Sequence, residues 1–322
     1  MSKPLISIII ATYNRCSLIG ETLDSIFIQT YENWECIIVD DWSTDDSGNL
    51  INTYVKKDSR FQYHKRPLEK DKGGNASRNY GFEISNGDFI IWFDDDDVML
   101  KDFLKTLIDG FSSDISFVIT SHYMVDENLE NRTKINLTEE TYLFKDYLFW
   151  KLKLITGSIL FKKEYLVNKR LFNEKLTRGQ ETEFFSRLFF KIPKNNYKIL
   201  NIPLFLYRQH NKSKSRKNIN YIKHYKTSQS YTAIEILKKS IVLNDKDLVA
   251  LYFKFLIDTF FRSLENNHKT NAKYISKNLF TILKSRNLYF SIEFMLLSNL
   301  FLIFSRGIYK IEKRWKLQKI SI

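Results

Sequence analysis

Four consecutive aspartates, Asp94, Asp95, Asp96 and Asp97, stand between the apolar runs at residues 90–93 and 98–100. Like charges packed this closely raise the cost of ionising one another, so the run needs solvent or a cation to offset the repulsion. Carboxylate oxygens are hard ligands suited to Mg²⁺ or Mn²⁺. Such ions take one or two carboxylates from a protein and complete their shell with phosphate oxygens. In an extended segment, residues i and i+2 point to one side, which singles out Asp94 and Asp96. The competing reading is an acidic loop that caps the following helix, with Asp97 near the helix start.

A second feature able to do chemistry is GGNASRN, residues 73–79, a glycine turn running into a helix with Arg78 in its first turns. A helix N-terminus with an arginine can hold phosphate or ribose oxygens. The stretch is neither a P-loop nor a GxGxxG fingerprint. Alone, it reads equally well as a capped helix with a surface arginine.

The elements around these residues place them together. The apolar run at 7–11 reads as a buried strand opening into Thr12-Tyr13-Asn14-Arg15, and 34–39 as a second strand stopping at Asp40-Asp41. Residues 61–64 and 88–93 are further strands. Helices are expected from Ser17 as N-cap, from Ser43 or Thr44 as N-cap, over 75–84 and over 102–111. Strands alternating with helices at this spacing indicate βαβ units and a parallel, helix-covered sheet. Ligands of such sheets bind beyond the carboxyl ends of the strands, where Thr12-Tyr13-Asn14, Asp40-Asp41 and the aspartate run all fall. Further on, 115–120, 155–161 and 203–207 read as strands, 126–140 as a loop or hairpin, 181–190 as a helix and 212–217 as a basic linker. From Tyr221 onward the pattern is helical.

The 322 residues carry a net charge of +13, unevenly spread. Residues 1–215 hold 30 Lys/Arg and 30 Asp/Glu, whereas 216–322 hold 20 Lys/Arg and 7 Asp/Glu. A neutral region, 1–215, is therefore expected to precede a basic region, 216–322, that meets an anionic partner. Net charge alone would suggest a nucleic-acid binder. No such motif is present, and the neutral first two-thirds and the aspartates would go unexplained, so nucleic acid is not expected. Two cysteines, Cys16 and Cys36, make neither a disulfide framework nor a zinc site, and no signal-peptide pattern opens the chain, so a cytoplasmic setting is expected.

Five segments taken in order resemble the inverting glycosyltransferases of family 2: SIIIATYN at 7–14, IVDDWSTD at 38–45, GNASRNYG at 74–81, GDFIIWFDDDD at 87–97 and RGQETEFFSR at 178–187. The resemblance implies an α/β, GT-A fold with a Rossmann-like mixed sheet, catalytic over 1–215, with a helical C-terminal region. It also implies hexosyl or N-acetylhexosaminyl transfer from a nucleotide sugar, most plainly a UDP-sugar, in polysaccharide biosynthesis. Thr12, Tyr13, Asn14, Asp40 and Asp41 would hold the uracil and ribose, with Arg78 nearby. Asp94 and Asp96 match the family's Asp-x-Asp, the first facing ribose and the second the metal, with Asp95 the variable middle position. Asp97 would support the loop or the donor sugar.

The departing diphosphate needs charge stabilisation, which a divalent ion, Mn²⁺ or Mg²⁺, supplies as Lewis acid. The acceptor hydroxyl needs a base. The family uses the Asp of a Glu-Asp pair opening a helix, and the matching pair here is Gln180-Glu181. Glu181 is therefore the implied base, in preference to Glu183, and Gln180 would lie by the donor sugar. The altered pair keeps open a second reading, an inactive nucleotide-sugar-binding partner subunit. The stretch YRQHNKS at 207–213 resembles a family segment closing over the diphosphate, which gives Arg208 and Ser213 to phosphate and His210 to phosphate or metal. Trp42 stands where the family usually has glycine, and Ala11 where it often has proline.

Residues 288–304 are very apolar but fall short of the ~20 residues a spanning helix needs. Glu293 and Asn299 interrupt them, and seven residues from Arg306 to Lys319, six of them cations and one Trp315, follow. Two readings are open: a helix lying in an anionic headgroup region at the inner face of the membrane, or a helix packed on the catalytic domain or on a second subunit with solvated lysines outside. The acceptor, a glycan or a lipid-linked saccharide, follows from the resemblance alone.

Overall fold

The computed structural model describes residues 3–209 and 220–320. The chain divides into two compact units, Met1–Lys175 with Glu183–Ser213, and Leu176–Thr182 with Lys214–Ile322.

Among the described residues, the strands of the first unit are β1 (Ile6–Thr12), β2 (Trp34–Asp40), β3 (Phe61–Lys65), β4 (Phe89–Asp94), β5 (Val98–Met99), β6 (Phe117–Val125), β7 (Thr133–Lys134), β8 (Ile159–Lys162) and β9 (Tyr197–Arg208). They form one sheet ordered β3-β2-β1-β4-β8-β6-β9-β5, with β7 paired to β6. Its helices are α1 (Ile19–Phe27), α2 (Ser47–Lys57), α3 (Gly74–Ile84), α4 (Phe103–Ile108), α5 (Leu143–Leu148), α6 (Lys163–Leu166) and α7 (Gln180–Leu188), whose first three residues belong to the second unit.

Only part of this sheet is parallel. β3, β2, β1 and β4 run in one direction, with α1, α2 and α3 making the crossovers from β1 to β2, β2 to β3 and β3 to β4. β8 then pairs antiparallel with both β4 and β6, so the sheet is mixed, as the family resemblance implied and strand–helix alternation alone did not. The core follows from strand alternation. Ile6, Ile8 and Ile10 pack with Ile19, Leu23 and Ile26 of α1 and Phe103, Leu104 and Leu107 of α4. On the opposite face, Ile9 lies under α3, where a Cβ at Gly81 would stand 2.4 Å from the Ile9 Cγ2. Glycine is what lets that helix sit so close. Trp92 of β4 lies edge-on to Phe172 and to Phe184 of α7, at centroid distances of 5.2 and 5.5 Å.

Several local expectations differ from the structure. α1 starts at Ile19 with no side-chain cap from Ser17, and α2 starts at Ser47, because Ser43 and Thr44 bond elsewhere. α4 is shorter than the stretch 102–111. β6 and β9 extend well beyond the apolar runs that marked them, since their outer ends pair with each other.

The second unit holds α8 (Lys223–Val242), α9 (Lys246–Glu265), α10 (Lys269–Lys284), α11 (Leu288–Phe304) and α12 (Tyr309–Lys316). Asp245 caps α9, accepting from Asp247 N and Leu248 N, and Asn287 caps α11, accepting from Phe290 N. Trp315 is fully buried among Phe260, Phe261, Phe290, Phe294 and Phe301. Its indole N–H donates to Glu293 Oε1 at 2.9 Å, which accounts for an acidic residue inside the apolar run. Gly307 approaches the Phe261 ring so closely that a Cβ would stand 2.3 Å from it, which brings α12 back onto α9. No helix among the described residues is long and apolar enough to cross a membrane.

Candidate active site

Parallel register brings three sequence-distant segments to one edge of the sheet. Thr12 at the end of β1 is level with Asp40 at the end of β2, and Ala11 is level with Asp94 at the end of β4. Lys65, the last residue of β3, is level with Asp40.

The β1 and β2 ends form a tied pair of loops. Asp40 Oδ1 accepts from Ser43 N at 2.9 Å and from the Ser43 hydroxyl, while Oδ2 accepts from the Tyr63 hydroxyl at 2.7 Å. Asn14, at φ 53°, accepts from Thr44 N through its side-chain oxygen at 2.7 Å and donates its own N–H to Ser43 Oγ at 2.9 Å. Asp41 is buried and ion-paired with the Arg66 guanidinium at 2.6 Å; Arg66 also donates to the carbonyls of Pro67 and Lys70. Tyr13 is 44% exposed, with the Lys72 ammonium 5.4 Å from its ring centroid. This edge therefore offers an open aromatic face above a rigid, hydrogen-bonded floor.

Trp42 lies in the left-handed region at φ 63°. That conformation disfavours side chains with a Cβ and explains why glycine suits such a turn. Here the indole N–H donates to the Arg66 carbonyl at 2.9 Å, and Lys65 stands 4.8 Å from the ring, so side-chain contacts hold the strained backbone.

The aspartate run is not simply extended: the chain turns at Asp95 and Asp96, so alternation along a strand does not carry through it. Burial nonetheless alternates. Asp95 and Asp97 are buried, while Asp94 and Asp96 keep 24% and 16% of their side chains in solvent. Two arginines offset the repulsion. Arg78 pairs with Asp94 at 2.8 Å, and Arg15 reaches both Asp95 at 3.3 Å and Asp96 at 3.5 Å. Burial first, and then the neighbouring Asp96, pushes the Asp95 carboxyl up to about 7, against the pull of Arg15 and Thr12. Burial likewise holds Asp97 well above the ordinary carboxylate range. Asp97 Oδ1 accepts from Arg208 N at 3.0 Å and its carbonyl accepts from the Thr22 hydroxyl at 2.8 Å, which fastens the loop to β9 and α1.

Arg208 is also buried. Its guanidinium donates to the carbonyls of Asp96 and Glu127 and to the Glu21 carboxylate. It braces the aspartate loop from behind. His210 and Ser213 lie outside the described residues.

Among the described residues, no group of three or more His, Cys, Asp or Glu is arranged to hold a metal ion. Two partly exposed carboxylates, Asp94 and Asp96, suit a divalent cation that draws its remaining ligands from diphosphate oxygens and water, and in that sense the donor set fits.

Asn75 and Asn79 of α3 hold the segment 172–174, Asn75 donating to the Asn173 carbonyl at 2.7 Å and Asn79 to the Phe172 carbonyl at 2.9 Å. Downstream, Gly179 at φ 70° precedes Gln180 and Glu181, the first two residues of α7, both partly exposed. Glu183 is buried and paired with Arg187 at 2.8 Å and Arg170 at 3.4 Å, a structural tie. In the second unit, Thr177 N donates to Ser228 Oγ of α8 at 3.0 Å, anchoring the start of this stretch.

The sequence reading passed over Arg15 and Arg66. Arg15 was visible as a cation in the loop leaving β1, at the edge that gathers the aspartates. Arg66 was visible as the residue following β3, beside the acidic end of β2.

The mixed sheet, its helices on both faces and the acidic carboxyl edge define a GT-A fold with a helical C-terminal region. Residues 7–170, just over half of the chain, match the model of glycosyl transferase family 2, and the chain belongs to that family. Glycosyltransferase GlyG of Streptococcus pneumoniae is 25% identical over 286 residues, covering 84% of this chain and 92% of GlyG. The GalNAc(5)-diNAcBac-PP-undecaprenol beta-1,3-glucosyltransferase of Campylobacter jejuni is 31% identical over 182 residues, 56% of this chain and 58% of that protein. S. aureus TarS 1–349, solved in complex with UDP-GlcNAc, has the same fold, with a TM-score of 0.66 at 19% identity over 97% of this chain and 89% of the TarS chain.

Proposed function

We propose that this family 2 glycosyltransferase moves a hexosyl or N-acetylhexosaminyl group from a UDP-sugar to a hydroxyl of a glycan or lipid-linked saccharide, with inversion. The observation that carries the reading is the aspartate run, in which burial shifts Asp95 and Asp97 toward their protonated forms and leaves Asp94 and Asp96 partly in solvent beside the end of β1. Tyr13 gives the base an open ring, and Asn14, Asp40 and Asp41 shape the floor beneath it. Arg78 sets the rotamer of Asp94 toward the ribose, and Arg208 holds the loop in place. Asp96 is the protein's carboxylate for a divalent ion, which when bound stabilises the diphosphate charge as it departs. His210 and Ser213 would join at the diphosphate.

In the transfer, the acceptor oxygen forms the new bond to the anomeric carbon as the bond to the diphosphate oxygen breaks. That oxygen leaves with the electron pair, and the acceptor's proton passes to Glu181. Gln180 beside Glu181 adds no competing charge. Support for the acceptor class comes from the Campylobacter relative, whose name describes a lipid-linked saccharide.

The test is turnover against donor binding in Glu181→Gln. Loss of transfer with UDP-sugar affinity intact supports the base assignment. Undiminished turnover would overturn the base assignment, and a wild type that binds donor and transfers to no glycan would favour the inactive-partner reading.

A further inference from the structure

We infer that the outer face of α11 seats the second unit on an anionic lipid surface, with the helix lying in the headgroup plane. Phe290, Phe294, Ser298 and Phe301 turn inward and are buried. On the opposite side, Tyr289, Ile292, Leu296, Leu300 and Ile303 are all exposed, from 43% at Ile292 to 90% at Tyr289. Their spacing of three, four, four and three residues makes one continuous stripe. From Tyr289 to Ile303 of α11 the stripe is roughly 21 Å long, more than scattered surface apolar residues would give.

The flanks of the stripe are cationic. α10 meets α11 through the Ser276–Ser298 hydroxyl contact at 2.7 Å and exposes Lys273 and Lys277 beside it. On the other side, α12 meets α11 through Glu293, which accepts from both Arg314 and Trp315. Residues 269–320 contain eleven Lys/Arg and two acidic residues, Glu293 and Glu312. Both acids are engaged, Glu312 by Lys316 at 2.6 Å, and Lys316 also pairs with Asp258 of α9 at 2.8 Å, which still leaves eleven cations facing three acids.

This charge decides the occupant. A second copy docking through the stripe about a two-fold axis would set its cationic flanks against themselves. An anionic lipid surface complements them, while the stripe enters the acyl boundary. No helix among the described residues, α11 included, is long and apolar enough to cross. The inference does not depend on which sugar or acceptor is used.

The experiment is flotation of the full chain with phosphatidylcholine vesicles, with and without phosphatidylglycerol, at low and raised salt. Binding is expected only to the phosphatidylglycerol vesicles, weakening with salt. Leu296→Glu/Ile303→Glu and, separately, Lys273→Glu/Lys277→Glu should each weaken partition by at least about ten-fold. Thermal melting and UDP binding should stay unchanged in both. Failure of the wild type to float would overturn the inference, as would flotation indifferent to both pairs. A wild-type dimer that Leu296→Glu/Ile303→Glu converts to monomer would overturn it in favour of a second copy.

Discussion

Trp42 offers a direct test of how the loop after β2 is held. Its backbone sits at φ 63°, where an ordinary side chain costs about 1–2 kcal/mol relative to the right-handed region. Two contacts offset that cost. The indole donates to the Arg66 carbonyl at 2.9 Å, worth about 1 kcal/mol, and Lys65 over the ring adds about 0.5–1 kcal/mol. Trp42→Ala removes both contacts and keeps the strain, which should lower stability by about 2 kcal/mol. Trp42→Gly removes the contacts and the strain together, less about 0.5–1 kcal/mol for the glycine's greater freedom when unfolded. The glycine variant should therefore be the more stable of the two by about 0.5–1 kcal/mol, although alanine is ordinarily the safer substitution. Urea denaturation followed by circular dichroism reads this as a higher midpoint for Trp42→Gly at equal slope. An alanine variant equal to or more stable than the glycine variant would refute the argument that side-chain contacts hold a strained turn here.

Other consequences can be checked alongside. Glu183→Gln removes the charge of a buried carboxylate that accepts from the partly exposed Arg187 and should cost about 2 kcal/mol, seen as a lowered melting temperature, whereas Glu181→Gln should abolish turnover with little change in melting. Gly81→Ala drives a Cβ to 2.4 Å from the Ile9 side chain and should destabilise by about 1–3 kcal/mol in urea. Because the folded Asp95 carboxyl is raised to about 7 from 3.8, the folded state holds this proton more tightly than the unfolded state, so metal-free stability should fall as pH rises from 4 through 7. Asp95→Asn should flatten that decline by on the order of 2 kcal/mol, measured from denaturation midpoints at pH 5 and pH 8.

Much of the first unit was legible because its signals are local. The β-branched runs of β1, β2 and β4 end abruptly in polar residues, and that end of the strand is where parallel register gathers a ligand site. Asp94 and Asp96 were likewise marked by spacing, although the chain turns there and burial, rather than strand alternation, separates them from Asp95 and Asp97. What escaped depends on tertiary contact. Arg15 and Arg66 are ordinary loop cations until folding sets them against Asp95, Asp96 and Asp41. Trp315 looked like part of a cationic, aromatic tail, and nothing local in KRWK says that its ring fills the centre of a helical core. Glu293 was visible only as an interruption, since its partner lies 22 residues away.

The central claim is that the diphosphate of a nucleotide sugar is held at Asp96 by a divalent ion. Calorimetric titration of UDP into the wild type and into Asp96→Ala, each with Mn²⁺ and with EDTA, tests it most directly. The account predicts binding by the wild type in Mn²⁺ that EDTA removes and Asp96→Ala lacks, with both proteins folded. Equal UDP affinity in Mn²⁺ for the wild type and the variant, or no UDP binding by a folded wild type, would contradict it.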